Sequence, residues 1–428
     1  MFTNSLSRIL IQFKTPFPIS STLLLFLAIV ATNVSATNGA FAIGYGARQL
    51  GIAGGGSAFP QDPIIAALNP AGVVFLGEQK DVNLKYYSPP RKYKVEGADT
   101  TSFPLPTKTI KNQTNHFFIP SAGFSWPLSS KSSVGLALYA NGGMNTDYSA
   151  SDTPSRSGAF GGKRAGVDYA QVFTNLNYSR KFADGKASWG VATLLNLSYI
   201  RMNGLSKFAG FSTDPSNLSD NGHDYAFGVG LRVGILAEVA PGVRLGASYQ
   251  TKIKNTFKDY KGLFANDGEF DVPANGIIGI AADVGSGVLT FDIQQIQFSD
   301  TAAIGNTSRT FLSGGKLGDN IGFGWDNMTI YKLGYVRNKA NGWTWRVGAS
   351  YGKNPVPDDE LTLSILAPAL TEYHFTAGFS KVLKSNKEIN VAFMFAPETC
   401  SSGPSLFAPT NTVELCIRQF SLDIGLSF

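Results

Sequence analysis

The residues that could do covalent chemistry in this chain are few, and their spacing argues against most of it. Gly348, Ala349, Ser350, Tyr351 and Gly352 fit the pentapeptide that places a nucleophilic serine between glycines. That motif needs a strand followed by a helix, and here the strand pattern runs through it with no helical period behind. The three histidines, His116, His223 and His374, are too scattered to suggest a metal site, and no phosphate-binding loop is present. Cys400 and Cys416 are the two cysteines. Metal binding needs more ligands than their neighbourhood offers, so in an exported chain a disulfide is the natural expectation. No catalytic residue, metal or cofactor is expected, and the chain does not read as an enzyme.

What remains is non-covalent recognition by polar groups on strands. Arg232, Glu238, Asp292, Lys332, Arg346 and His374 fall on the polar parity of strands whose other face is apolar. Such residues point into a barrel lumen. Arg346 is the first choice for contacting a polar head group, and a second role, an ion pair that holds a plug in place, stays open beside it.

These side chains depend on strands to position them. In the last nine residues Phe420, Leu422, Ile424, Leu426 and Phe428 alternate with Ser421, Asp423, Gly425 and Ser427. Strand side chains alternate faces, so one face is greasy and the other polar. The same period-2 reading predicts strands over 82–89, 116–126, 133–142, 168–181, 187–201, 224–240, 243–257, 275–284, 287–298, 329–337, 343–351, 371–382, 388–396 and 414–428. Short connections (PLSSKS, FADGK, PG, GS, NKANG, LKSNK) alternate with long ones along this assignment. That is the habit of outer-membrane barrels, with short periplasmic turns and long outer loops. The fold expected is all-β, a 14-stranded antiparallel transmembrane barrel. A barrel of that size keeps an appreciable lumen.

Composition agrees. There are 47 Gly, 31 Phe and 16 Tyr, with only 15% charged residues. Arg8 and Lys14 precede the apolar run Leu23 to Val30, and Val34-Ser35-Ala36 has the form of a signal-peptidase site. Residues 1–36 are therefore expected to be a signal peptide. Without them the charge is 34 basic against 30 acidic residues, too mild to imply nucleic acid. Residues 37–80 are Gly-rich, with an apolar stretch Pro63 to Leu76 that suits a short helix, and are expected to plug a barrel formed by 81–428.

The segment GAFAIGYGARQLGIAGGGSAF, followed by Asp62 and by Asn69-Pro70-Ala71-Gly72, resembles the start of the FadL family of outer-membrane long-chain fatty acid and hydrocarbon transporters. SSVGLALYANGGMNTDY and GWTWRVGASYGKNPVPDDE carry the resemblance through the barrel. It implies a monomeric passive channel for hydrophobic small molecules in the bacterial outer membrane, exchanging them with membrane lipid. Ligand would be caught at outer loops, pass to an internal pocket, and leave sideways where the third strand kinks. By the resemblance Asn69, Pro70 and Ala71 form the hatch motif, and Phe41 reaches into the pocket. Arg346, Lys332, Arg232 and His374 are the polar candidates there. The kink falls at Asn141, Gly142 and Gly143, which glycine suits because it permits backbone that a paired strand forbids. Leu205, Phe208, Phe211, Leu218, Phe257, Tyr260, Leu263 and Phe264 in the third and fourth outer loops are expected to be exposed apolar capture residues. Competing readings are a hydrophilic porin and an outer-membrane lipase, which would need a serine and a histidine brought together.

Overall fold

The computed structural model describes residues 38–97, 109–149, 160, 164–339, 341–383 and 387–428. The predicted signal peptide lies outside the described residues. Fourteen strands form the wall: β1 (Gln79–Ser88), β2 (Phe117–Ser129), β3 (Ser132–Asn145), β4 (Arg164–Phe182), β5 (Ala187–Asn203), β6 (Asp224–Ala240), β7 (Val243–Gln250), β8 (Asn275–Val284), β9 (Gly287–Ile296), β10 (Met328–Lys339), β11 (Trp343–Gly352), β12 (Tyr373–Val382), β13 (Glu388–Pro404) and β14 (Thr412–Ser427). Each pairs antiparallel with its neighbour, and β14 returns to β1 in the register Asp81↔Ser427 to Ser88↔Phe420. The barrel is closed, which removes the open edges that lipid cannot tolerate.

Alternation decides which face is which. Tyr225, Phe227, Val229, Leu231, Val233 and Ile235 of β6 are exposed on the outside of the barrel, while Ala226 and Arg232 between them are buried. In β14 Phe420, Ile424 and Phe428 point outward, and Ser421, Asp423 and Ser427 are buried. Greasy residues therefore meet lipid and polar ones the interior, as in other membrane barrels.

The wall departs from the predicted strands in three places. β7 stops at Gln250 rather than 257: Thr251 N still bonds Leu231 O at 3.0 Å, but Ile253 bridges Val272 instead of β6. After Pro89-Pro90 the first strand resumes at Arg91–Glu96 and pairs with Ile417–Thr412 of β14. β13 runs on to Pro404, through an irregularity between Ala396 and Thr399, so Cys400 and Cys416 face each other across β13 and β14 as a disulfide.

One seam is incomplete. The β2–β3 ladder starts at Ser129↔Ser132 and ends at Ala122↔Leu138. Beyond it β4 is the one wall strand that Tyr139–Asn145 pair with among the described residues, with a bulge between Ala140 and Gly142 that leaves Asn141 as the extra residue.

The outward assignment is testable at Val347, 55% exposed on β11. Val347→Arg is expected to cost about 2–4 kcal/mol in urea unfolding from phospholipid vesicles, and Val382→Arg near a turn about 0–1 kcal/mol. Equal costs at the two positions would contradict the placement of the apolar band.

Candidate functional site

The interior is occupied by the segment Asn38–Gly77, whose backbone is held by side chains from most of the wall. Its two turns of 3-10 helix, Pro63–Ala67 and Pro70–Phe75, each open with a capping residue followed by proline. Proline suits the first helical position because its missing N–H would have been unpaired there. Asp62 Oδ1 accepts from Ile64 N at 2.9 Å, and Asn69 Oδ1 from Ala71 N at 3.1 Å. Asn69 also joins segment to wall: its amide donates to Ser57 O and to Ile235 O of β6, both at 3.0 Å. Between these turns and Gly44 the chain doubles back so tightly that a Cβ on Gly54 (φ +71°) would lie 1.4 Å from Ile43 O. Only glycine fits.

The lumen-facing charges are consumed by this packing. Asp292 accepts from Gly56 N (2.7 Å), Ser57 N (2.9 Å) and the Ser57 hydroxyl. Lys332, its partner in the β9–β10 register, donates to Gly54 O at 3.0 Å. Arg232 donates to Leu68 O at 3.1 Å and to Gln250. Arg346 donates from Nε to Gln61 Oε1 at 2.8 Å and to Ser380 Oγ at 2.6 Å. These are hydrogen bonds to neutral partners on the N-terminal segment and on β12, and among the described residues Arg346 makes no ion pair. Glu238 is corrected: it is exposed and accepts from Gly242 N at the β6–β7 turn.

His374 is buried and lies beside Ser350, Nδ1 to Oγ 3.3 Å, as a cross-strand pair. The serine of the hydrolase-like pentapeptide thus does meet a histidine. Ser350, however, sits mid-strand in a paired ladder rather than on the strand-to-helix elbow that the pentapeptide requires.

At the incomplete seam the start of the segment lies against β3. Ala42 N donates to Asn141 O at 2.8 Å and Gly143 N to Ala40 O at 3.1 Å, with Phe41 opposite Gly142. A Cβ on Gly142 would come within 1.9 Å of Ala40 O, so glycine is required by the approach of a second backbone. The Asn141 side chain is fixed by the Tyr45 hydroxyl (2.8 Å) and by Gln171 (2.7 Å). Phe41 is buried and meets Phe298 edge-on at 6.0 Å, which in turn meets Trp325 at 5.4 Å.

Two small cavities lie beyond this cluster, toward the long loops. One, of ≈ 20 Å³, is bounded by Met202, Leu205, Phe208, Leu263, Phe264 and Phe323, among others. The other, of ≈ 30 Å³, lies behind Gly143–Asn145. Leu366 lines both. The expectation that the loop residues are exposed is overturned: Leu205, Phe208, Leu218, Phe257, Tyr260, Leu263 and Phe264 are buried, and of the eight only Phe211 is exposed, at 42%. The loops fold onto one another, since that many apolar side chains gain more from mutual burial than from standing in water. Phe298, Phe323, Trp325, Leu363 and Leu366 were not singled out by pattern reading: Phe298 closed the strand predicted over 287–298, which the structure ends at Ile296, and the others lie in connections without strand alternation, where a cluster of large apolar residues was the available signal.

A family model described as outer membrane protein transport protein (OMPP1/FadL/TodX) matches residues 27–402. Among solved structures, the Pseudomonas putida toluene transporter TodX is similar at 16% identity and TM-score 0.64, over 90% of this chain and 98% of its own. A Pseudomonas aeruginosa FadL homologue is similar at 15% identity and TM-score 0.64, over 93% and 99%. The Ralstonia pickettii toluene transporter TbuX gives 17%, 0.59, 89% and 98%. None of the curated proteins matches the chain in sequence.

Two tests follow from the packing of the segment. Burial, and secondly the Asp81 carboxylate, push the Asp62 carboxyl up to about 7, against the opposing pull of Arg48 and Arg346. An acid whose folded pKa is raised keeps its proton when the unfolded chain has lost it, so stability falls as pH rises between about 4 and 7. Hydrogen exchange of Ile64–Leu68, corrected for intrinsic rates, is expected to show more protection at pH 5 than at pH 8, and Asp62→Asn to flatten the difference. Asp292→Ala removes the acceptor for Gly56 and Ser57 and strands Lys332. It is expected to cost about 3–5 kcal/mol, seen as proteolytic cleavage near Ser57 at temperatures where the wild-type segment resists.

Proposed function

The chain belongs to the outer membrane protein transport family (OMPP1/FadL/TodX), and from that premise we propose that it is a monomeric, passive uptake channel for hydrophobic compounds that releases them sideways into membrane lipid. It is an outer-membrane transport channel and not an enzyme. The observation that carries the reading is the seam between β2 and β3, where the wall lacks a ladder and the chain's own residues Asn38–Ala42 cover the bulge from inside.

In this reading the cavity among Leu205, Phe208, Leu263 and Phe264 is the capture site and Phe41 marks the inner pocket. Residues 37–80 act as the hatch, with Asn69, Pro70 and Ala71 as its motif, and the bulge at Asn141–Gly143 is the exit. Both cavities are small as they stand. One hydrogen-bonded water needs about 10–15 Å³ of such space, so a cargo molecule enters by moving Leu366 and the aromatic residues around it. The hydrophilic porin is the weaker reading, because the lumen's polar side chains are bonded to the segment instead of to a water-filled path.

The test is deletion of Asn141, which restores continuous pairing of Ala140 and Gly142 with Val172 and Gln171. With the barrel intact by heat-modified electrophoretic mobility, uptake of limiting oleate or toluene is expected to drop by about tenfold, equivalent to roughly 1.4 kcal/mol. Undiminished uptake of both probes would rule out the lateral exit, and a steady ionic conductance in planar bilayers would restore the porin.

A further inference from the structure

The cavity among Leu205, Phe208, Leu263 and Phe264 is separated from bulk water by four phenylalanines that come from three different connections. Phe208 lines the cavity. Its ring stacks on Phe311 at 5.7 Å and leans on Phe407 at 6.1 Å, centroid to centroid. Phe211 meets the same two rings at 5.9 and 6.1 Å, and Phe311 meets Phe407 at 5.4 Å. Aromatic rings at such spacings attract one another beyond the gain from burial alone. Exposure rises along the quartet: Phe208 is fully buried, Phe407 is half-buried and Phe211 is 42% exposed. The rings therefore fill the stretch between cavity and solvent.

Their three mounts differ. Phe407 sits at the tip of the β13–β14 hairpin, past the irregularity between Ala396 and Thr399. There Thr399–Pro404 pair with Ile417–Thr412, the Cys400–Cys416 disulfide ties the two strands, and Arg91–Glu96 pair along the free side of β14. The tip is also seated on a neighbouring connection, where Leu406 N donates to Thr362 Oγ1 at 2.9 Å. Phe311 lies in the 3-10 turn Ser308–Ser313, which Thr307 caps and Glu360 holds by accepting from Ser308 N at 3.0 Å. Phe208 and Phe211 lie in the 3-10 turn Ser206–Phe211, which has no side-chain cap. A turn without a capping side chain is the less stable kind. Two rings are thus on fixed mounts and two on a yielding one.

We propose that these four rings are the entry gate for cargo, with Phe311 and Phe407 as the fixed jaw and Ser206–Phe211 as the turn that swings. The Cys400–Cys416 disulfide positions the fixed jaw. The inference rests on the uptake reading above and adds where cargo enters and what keeps the entrance in register.

The experiment reads the gate with a thiol placed behind it. Leu263, which lines the cavity outside the quartet, is replaced (Leu263→Cys) in the full chain. Its modification by N-ethylmaleimide is followed in detergent by mass spectrometry; the two native cysteines are bonded to each other. Heat-modified electrophoretic mobility checks that each variant keeps its barrel. Phe407→Ala is expected to speed modification by about tenfold, and Phe407→Trp to slow it. Cys400→Ser with Cys416→Ser is expected to speed it several-fold. Leu312→Ala, beside Phe311 but exposed and outside the quartet, is expected to leave the rate unchanged. In cells, with Leu263 retained, uptake of limiting oleate or toluene is expected to follow the same order. A rate indifferent to residue 407, or raised as much by Leu312→Ala, overturns the gate. A wild-type rate without the disulfide overturns its positioning role. Rates that shift while uptake stays constant overturn the quartet as the cargo's way in and leave the uptake reading in place. Wild-type cells that take up neither probe overturn the uptake reading and the cargo role with it.

Discussion

Backbone groups that lose their ladder partners inside a membrane have to be paired elsewhere, and at the third strand the chain's own N-terminal segment does the pairing. The β2–β3 ladder ends at Leu138, and a bulge follows at Asn141. Left alone, the edge would present free N–H and C=O groups at a cost of several kcal/mol each in lipid. Ala40 and Ala42 bond Gly143 and Asn141 from inside. The same contacts close the gap and require glycine at position 142, so the seam, the glycine and the position of Phe41 are one arrangement.

The strength with which the segment is held is uneven along its length. From Arg48 to Ala71 it is clamped by Glu388, Asn390, Asp292, Lys332, Arg346, Asn175, Arg232, Ser248 and Ser188. From Asn38 to Ala42 two backbone hydrogen bonds join it to β3. Hydrogen bonds contribute about 0.5–1.5 kcal/mol net each, so the more numerous clamps from Arg48 to Ala71 hold that part of the segment more firmly. In the proposed channel the seam would be uncovered while the clamped turns stay in place, as local opening elsewhere leaves a core intact.

The strands were legible because one face of each meets lipid and the other the lumen, so period-2 alternation survives along almost the whole wall. It misled only where an extended segment alternates without joining the wall. Ile253 and Phe257 continue the parity of β7, yet the chain has turned inward, and Ile253 packs where Cβ atoms of Gly228 and Gly230 would be. Parity also placed Arg232, Asp292, Lys332 and Arg346 on the interior face correctly, but it carries no information about position along the barrel axis, which is why Glu238 ended at a turn. Their partners were not readable at all. Lys332 bonds the carbonyl of Gly54 and Arg232 that of Leu68, and backbone carbonyls leave no mark on sequence. Loop residues could be counted as apolar, but whether they face water or each other depends on packing between loops far apart in the chain.

The distribution of polarity inside the barrel bears on the direction in which an apolar molecule can leave. Toward the short turns the interior holds Arg48, Asp62, Asp81, Lys85, Arg346, Glu388 and Asp423, with Lys85 and Asp423 3.8 Å apart. Toward the long loops it holds Phe41, Phe298, Phe323, Trp325 and Leu366. A hydrophobic cargo gains by burial in the second region and gains nothing in the first. Passing straight through would separate charged groups from their partners in a water-poor interior, where breaking one such pair costs about 3–5 kcal/mol. The seam at Asn141–Gly143 lies beside the apolar cluster, next to Phe41, and away from the charged layer. On the proposed sideways path apolar surface would stay buried throughout, and the charged layer that fastens the segment would favour that direction of exit.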